Sequence, residues 1–188
     1  MYKFVYVTFF AVLLMTGNCW AADFSLVLND DSVQGVLSKT FNSNELGESI
    51  LGGRLLYSDD KDTLLGSVNV GVRGAPGNIA GLKLGAQVNG NWGRSNKKDL
   101  LAFGLGVSSS YQLPQLHGLG VYGRLQYAPK LLSFMDSERM WETAVGVNYA
   151  FNPKAMLVVE YQNIEVDFEG TRTLHIDESV RAGIQFYF

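Results

Sequence analysis

From Leu64 to the end of the chain, apolar and polar positions alternate with period 2. Leu64, Gly66, Val68, Val70 and Val72 fall on one side of an extended segment; Leu65, Ser67, Asn69, Gly71 and Arg73 fall on the other. Side chains of a strand point alternately to opposite faces, so this pattern predicts a β-strand. The same alternation runs through 81–89, 101–111, 118–127, 141–151 and 157–162. It is cleanest in the last run, where Val180, Ala182, Ile184, Phe186 and Phe188 oppose Ser179, Arg181, Gly183, Gln185 and Tyr187. An all-β, antiparallel fold is expected.

A soluble β-sandwich or barrel and a membrane barrel both produce such alternation. The second face separates them. A soluble sheet turns Lys, Glu and Thr to water, whereas here the second face holds mainly Gly, Ala, Ser, Asn and Gln with a few charges. Small polar groups suit a crowded lumen. The runs approach the roughly 9–11 residues that a tilted membrane strand needs. Tight turns at Ala75-Pro-Gly77, Leu113-Pro114-Gln115 and Asn152-Pro153-Lys154 alternate with longer polar segments at 58–62, 93–99, 128–139 and 167–178. Short periplasmic turns and longer outer loops are the outer-membrane pattern. Tyr57, Trp92, Tyr127 and Trp141 sit toward the loop end; Phe41, Tyr111, Tyr149, Phe151, Phe186 and Phe188 sit toward the turn end. Two aromatic levels are expected at the two membrane interfaces.

Counting back from Phe188 gives eight strands, beginning near Ser49, Thr63, Asn78, Asp99, His117, Met140, Ala155 and His175. Before them, 24–28 and 33–41 alternate around the turn Asn29-Asp30-Asp31-Ser32. The expected fold is therefore a transmembrane β-barrel of ten strands, with eight strands plus an N-terminal hairpin as the alternative. After Glu160 and Gln162 the apolar set moves to Ile164, Val166 and Phe168. This reads as a bulge near Asn163, or as an end projecting beyond the bilayer.

Residues 1–21 read as a signal peptide, with 22–188 as the barrel. Lys3 is followed by an apolar run from Phe4 to Met15, too short for a spanning helix, and Cys19-Trp20-Ala21 places small residues before a cut after Ala21. Asn18 makes Cys19 a poor lipidation site, and Cys19 is the only cysteine, so the mature chain has no thiol chemistry. Without residues 1–21, 14 basic residues face 18 acidic ones, and no Lys/Arg cluster points to nucleic acid.

Four segments carry a resemblance: Phe24-Ser-Leu-Val-Leu-Asn-Asp-Asp-Ser32, Leu51-Gly-Gly-Arg-Leu-Leu-Tyr57 before an acidic loop, Tyr127-Ala-Pro-Lys-Leu-Leu132, and the closing strand. In order and spacing they resemble the YfaZ family of small outer-membrane proteins. The resemblance implies an outer-membrane barrel and little about activity.

Parity turns Arg54, Arg73, Lys83, Arg124, Arg181, Glu142 and Glu160 inward. Unpaired charge in a narrow lumen is costly, so Glu142 and Glu160 are expected to pair with Arg124 and Arg181. The leading expectation is a non-enzymatic envelope barrel whose charge network fills the lumen. A narrow pore for ions or small solutes is the alternative, helped by the glycines at 81, 85, 104, 106, 118 and 120. An enzyme acting on outer-leaflet lipid stands third: His175 lies near Asp177, Glu178 and Ser179, whereas His117 lies at a turn. Glu165, Asp167 and Glu169 form an acidic rim, and no metal or cofactor motif appears. Leu131, Leu132, Phe134, Met135 and Met140, with the basic Lys130 and Arg139 at either end, form an apolar loop that contacts a partner or the outer leaflet, or caps the mouth. Ile184, Phe186 and Phe188 are the expected assembly signal. The expected partners are outer-membrane lipids and lipopolysaccharide, with the barrel assembly machinery and periplasmic chaperones during biogenesis; the barrel is expected to be a monomer.

Overall fold

The structure is a computed structural model that describes residues 22–44, 47–59, 62–77, 79–168, 170 and 173–188. The expected signal peptide, residues 1–21, lies outside the described residues. Eleven strands follow in order: β1 (Ala22–Leu28), β2 (Ser32–Asn44), β3 (Gly47–Ser58), β4 (Thr63–Gly74), β5 (Leu82–Ser95), β6 (Lys98–Gln112), β7 (Leu119–Ala128), β8 (Ser133–Met135), β9 (Ser137–Asn152), β10 (Ala155–Phe168) and β11 (Leu174–Tyr187). All pairings are antiparallel. β1 pairs with both β2 and β11, and β5 with both β4 and β6, which closes a ring of ten strands. The ten-strand reading is the correct one. The extra strand, β8, lies above β7 and pairs with Leu100–Ala102 of β6.

Ala22 and Phe188, the facing ends of β2 and β3 at Asn44 and Gly47, and the connections at 75–77, 79–81, 113–118 and 153–154 lie at one rim, here the turn end. The loop lengths are less lopsided than expected. The supposed loop at 93–99 is mostly strand, and the chain reverses at Asn96 and Lys97, both with positive φ (49° and 66°). Two left-handed residues in a two-residue turn match the right-handed twist of the strands. The strands expected from Asn78, His117 and Met140 begin instead at Leu82, Leu119 and Ser137. Gly81 and Gly118, both with positive φ, carry the backbone into the first two.

The outer wall is apolar. Val68, Val70, Val72, Val88, Leu105, Val107, Val145, Val147, Leu157 and Val159 are exposed on it, as lipid contact requires. Aromatic residues border this band: Trp92, Phe103, Tyr127 and Trp141 toward the loops, and Phe41, Tyr149, Phe151 and Phe188 toward the turns. The Trp92 indole lies across Gly66 of β4; a Cβ there would come within 2.7 Å of Nε1.

The expected phase slip after Gln162 does not occur. Ile164, Val166 and Phe168 are buried inside the barrel, in phase with Glu160 and Gln162. The irregularity lies on β11, where Ile164 pairs with Asp177 and Glu165 with His175, leaving Ile176 as the extra residue. The bulge turns Ile176 inward beside Asp177, which is already in phase with Arg181, and leaves Leu174 rather than His175 facing the interior.

The β1–β11 seam runs from Asp23↔Tyr187 to Leu28↔Ala182, and Phe188 N donates to Ala22 O at 3.0 Å. At Gly183 a Cβ would overlap the Leu26 carbonyl oxygen and lie 2.6 Å from Val27 Cα. Gly183→Val is therefore expected to destabilise the barrel by roughly 1–3 kcal/mol. Gly35→Ala, with nothing within 4 Å of the added Cβ, is the matched control. Heat-modifiability of the refolded variants on gels checks this; equal midpoints for both would remove the seam argument.

Candidate functional site: the barrel lumen

Each strand contributes one column of inward residues, and the columns build layers. In the middle layer, Arg54 of β3 meets Glu142 of β9 in a two-pronged ion pair, with Nη2–Oε2 at 2.8 Å. Arg54 Nη2 also donates to Ser67 Oγ at 3.0 Å, and Arg124 Nη2 of β7 donates to Glu142 Oε1 at 3.1 Å. Glu142 is fully buried, so its charge depends on these two guanidinium groups.

The remaining charges pair differently from the sequence expectation. Glu160 Oε2 accepts from the Tyr122 hydroxyl at 2.9 Å and makes no ion pair with Arg181. Arg181 pairs instead with Asp177, Nη2–Oδ2 2.6 Å, and its Nε donates to Ser32 Oγ at 3.0 Å. Asp177, read from sequence as a loop residue, is the missed member of the set. It stands four residues before Arg181, on the same face by period-2 counting, and is missed because 167–178 reads as a polar loop. Arg73 and Lys83 stand apart at the turn-end rim, where both bind Glu48 at 2.8 and 2.9 Å.

Above the middle layer the interior is mainly apolar, with Ser58, Thr63, Ser95, Ser137 and the Arg181–Asp177 pair buried there as well. Leu56, Leu65, Leu100, Met140, Ile164, Val166, Phe168 and Ile176 form one buried cluster across the loop half of the lumen. Met140, expected in the apolar loop, belongs here. The rest of that loop neither caps the mouth nor hangs free. A 3-10 turn at Lys130–Leu132 leads into β8, and Phe134 packs edge-on against Phe103 on the outer wall with centroids 6.2 Å apart.

Below the middle layer lies a cavity of about 570 Å³ that reaches the turn-end rim at Ala75, Gly81 and Lys83. Inward glycines do not widen it. A Cβ at Gly106 would meet Gln87 and Gln126, at Gly120 Asn148 and Gln112, at Gly52 Asn69, and at Gly146 the Tyr122 ring. Each glycine is a slot for a larger polar side chain of a neighbouring strand.

The other candidate chemistry does not converge. His175 is exposed on the outer face of β11 near Glu165 and Glu178, whereas Asp177 points inward and accepts from Ser179 Oγ at 3.1 Å. Glu169 lies outside the described residues; Asp167 binds Arg139 at 2.5 Å and Thr173 at 2.7 Å. At the loop rim, hydrogen bonds from Thr173 and Arg139 hold the Asp167 carboxyl below its usual range, and Arg94 does the same for Asp99. Ile184 and Phe186 lie on the outer wall, paired with Leu26 and Phe24 across the seam; Phe188 follows, exposed.

Removing a carboxylate that holds the buried Arg54 and the partly buried Arg124 leaves both charges without it. Glu142→Gln is expected to cost about 3–5 kcal/mol. Glu160→Gln keeps an acceptor for Tyr122 and is expected to cost clearly less. Urea midpoints of the two variants in micelles check the order; a Glu160→Gln loss as large as that of Glu142→Gln would show that the middle layer is not organised around Glu142.

No curated protein matches the chain. Among solved structures it is similar to the outer-membrane channel DcaP of Acinetobacter baumannii, with 13% identity and a TM-score of 0.47 over 87% of this chain and 54% of that one. It is similar to the KdgM porin, with 11% identity and a TM-score of 0.42 over 90% and 99% of the two chains. A third is the outer-membrane expressed OmpT of Vibrio cholerae, with 13% identity and a TM-score of 0.41 over 84% and 56%. The family model described as YfaZ precursor matches residues 1–188, and the chain belongs to that family.

Proposed function

We propose that this protein is a non-enzymatic barrel of the Gram-negative outer membrane whose lumen is sealed in its loop half and open as a blind cup at its turn end. The observation that carries the reading is the apolar cluster stacked on the Arg54–Glu142–Arg124 layer. An ion crossing it would leave water and exchange a matched ion pair for apolar walls, which costs several kcal/mol. Export fits the basic start and apolar run of residues 1–21. The seam strand, with Ile184, Phe186 and Phe188 on its outer face, is what the assembly machinery would engage after chaperoned transit of the periplasm. Outer-membrane lipids and lipopolysaccharide then surround a monomeric wall. The separation of His175 from Asp177 supports the non-enzymatic reading.

The cavity in the turn half favours the narrow-pore alternative as far as the middle layer. Planar-bilayer recording separates the two. The wild type is expected to give no steady unit conductance, and Leu65→Ala combined with Phe168→Ala to give intermittent openings. A stable unit conductance in the wild type overturns the sealed reading. For the enzymatic alternative, lipid A profiles are expected to be unchanged on overexpression; a new deacylated or otherwise modified species would overturn the non-enzymatic reading.

A further inference from the structure

The turn-end cup has two unlike walls. On one side, Val27 of β1 and Met156 and Val158 of β10 form a second buried apolar cluster, packed by the rings of Tyr122 and Tyr187. On the opposite side of the ring stand Asn69 of β4 and Gln87 and Asn89 of β5. Asn89 is 2% exposed and aimed into the cavity, and neither its Oδ1 nor its Nδ2 meets a hydrogen-bonding group among the described residues. Gln34 Oε1 on β2, on a side chain equally buried, and Glu160 Oε1 on β10 are in the same position.

The charges around the cup cancel. Arg54, Arg124, Arg73 and Lys83 are matched by Glu142, Glu48, Glu160 and Asp23. The cup therefore offers no net attraction to an ion. It offers amide donors and acceptors on one wall and an apolar, tyrosine-bearing surface on the other. A sugar ring has the complementary shape: hydroxyls around its edge and C–H bonds on its faces. The volume of about 570 Å³ falls within the usual range for small-ligand sites.

We propose that the cup is a binding site for a neutral sugar of one or two rings, entering from the periplasmic side. Amides of Asn89, Gln87 and Gln34 would take its hydroxyls, and the Met156–Tyr122–Tyr187 wall would take a ring face. The entry side rests on the sealed-barrel reading; binding itself does not.

Methionine methyl NMR tests this on the refolded mature chain in micelles. Met156 reports the cup, Met140 the apolar loop half and Met135 the outer surface. Titration with glucose, maltose and N-acetylglucosamine is expected to give a saturable shift of Met156 for at least one of them, with Met140 and Met135 unmoved. Asn89→Leu is expected to weaken that response about tenfold, the equivalent of 1.4 kcal/mol. Gln87→Ala provides the same comparison should Asn89→Leu fail to refold. No Met156 shift with any of the three sugars overturns the site and leaves a hydrated cup. A response to glucose 6-phosphate as strong as that to glucose overturns the neutral class. Bilayer conductance is read separately: a conducting barrel with a saturable Met156 shift keeps the site and removes only the one-sided entry.

Discussion

Closure between β1 and β11 is the constraint on which the rest of the molecule depends. In lipid no water satisfies a strand edge, so every backbone N–H and C=O in the wall needs a neighbour. β1 has seven residues and β11 fourteen, so the seam joins only the lower half of β11. Its last pair is Leu28↔Ala182, and immediately above it the Arg181 side chain reaches from β11 to Ser32 of β2. Arg181 ties the two strands together where backbone pairing stops, while Asp177 neutralises it. The seam also fixes the ring at ten strands. An eight-stranded ring leaves an interior just wide enough for side chains to fill; ten leave space that the chain must occupy by other means.

It occupies part of that space with paired charges and interlocking amides. Glutamines and asparagines lie in slots opened by glycines on adjacent strands, as Gln87 and Gln126 do over Gly106. Charges come as matched sets, because an isolated charge in such an interior would cost more than the fold can spare. Glu142 carries the greatest burden, since Arg124 of the neighbouring β7 and Arg54 of β3 across the barrel converge on one fully buried carboxylate.

Architecture and facing were legible in the sequence because period-2 alternation reports directly on which side of a wall each residue stands. The seven expected lumen charges all lie on the inner face or its turn-end rim for that reason. Pairing was not legible. Which cation meets which carboxylate depends on strand stagger, and Asp177, in phase with Arg181, lay hidden in a segment that reads as loop. Loop lengths misled for a related reason: Asn96 and Lys97 can reverse the chain alone, so polar residues around them were free to extend the strands.

The apolar set Ile164, Val166 and Phe168 was misread as a change of phase because facing and composition were taken as one signal. They are separate: parity says which way a residue points, and height along the barrel says what surrounds it. Sorted by height, the inner columns change character at a common level. Arg54 gives way to Leu56, Ser67 to Leu65, Gln126 to Ala128, Glu142 to Met140 and Gln162 to Ile164, each within one inward step. Five strands running in alternating directions reach the same boundary, although their sequences meet it in opposite order. The boundary these five columns share sets matched charge on one side and the main apolar cluster on the other. Such a level joins its five columns into one packed layer, and the proposal of a sealed loop half rests on that layer.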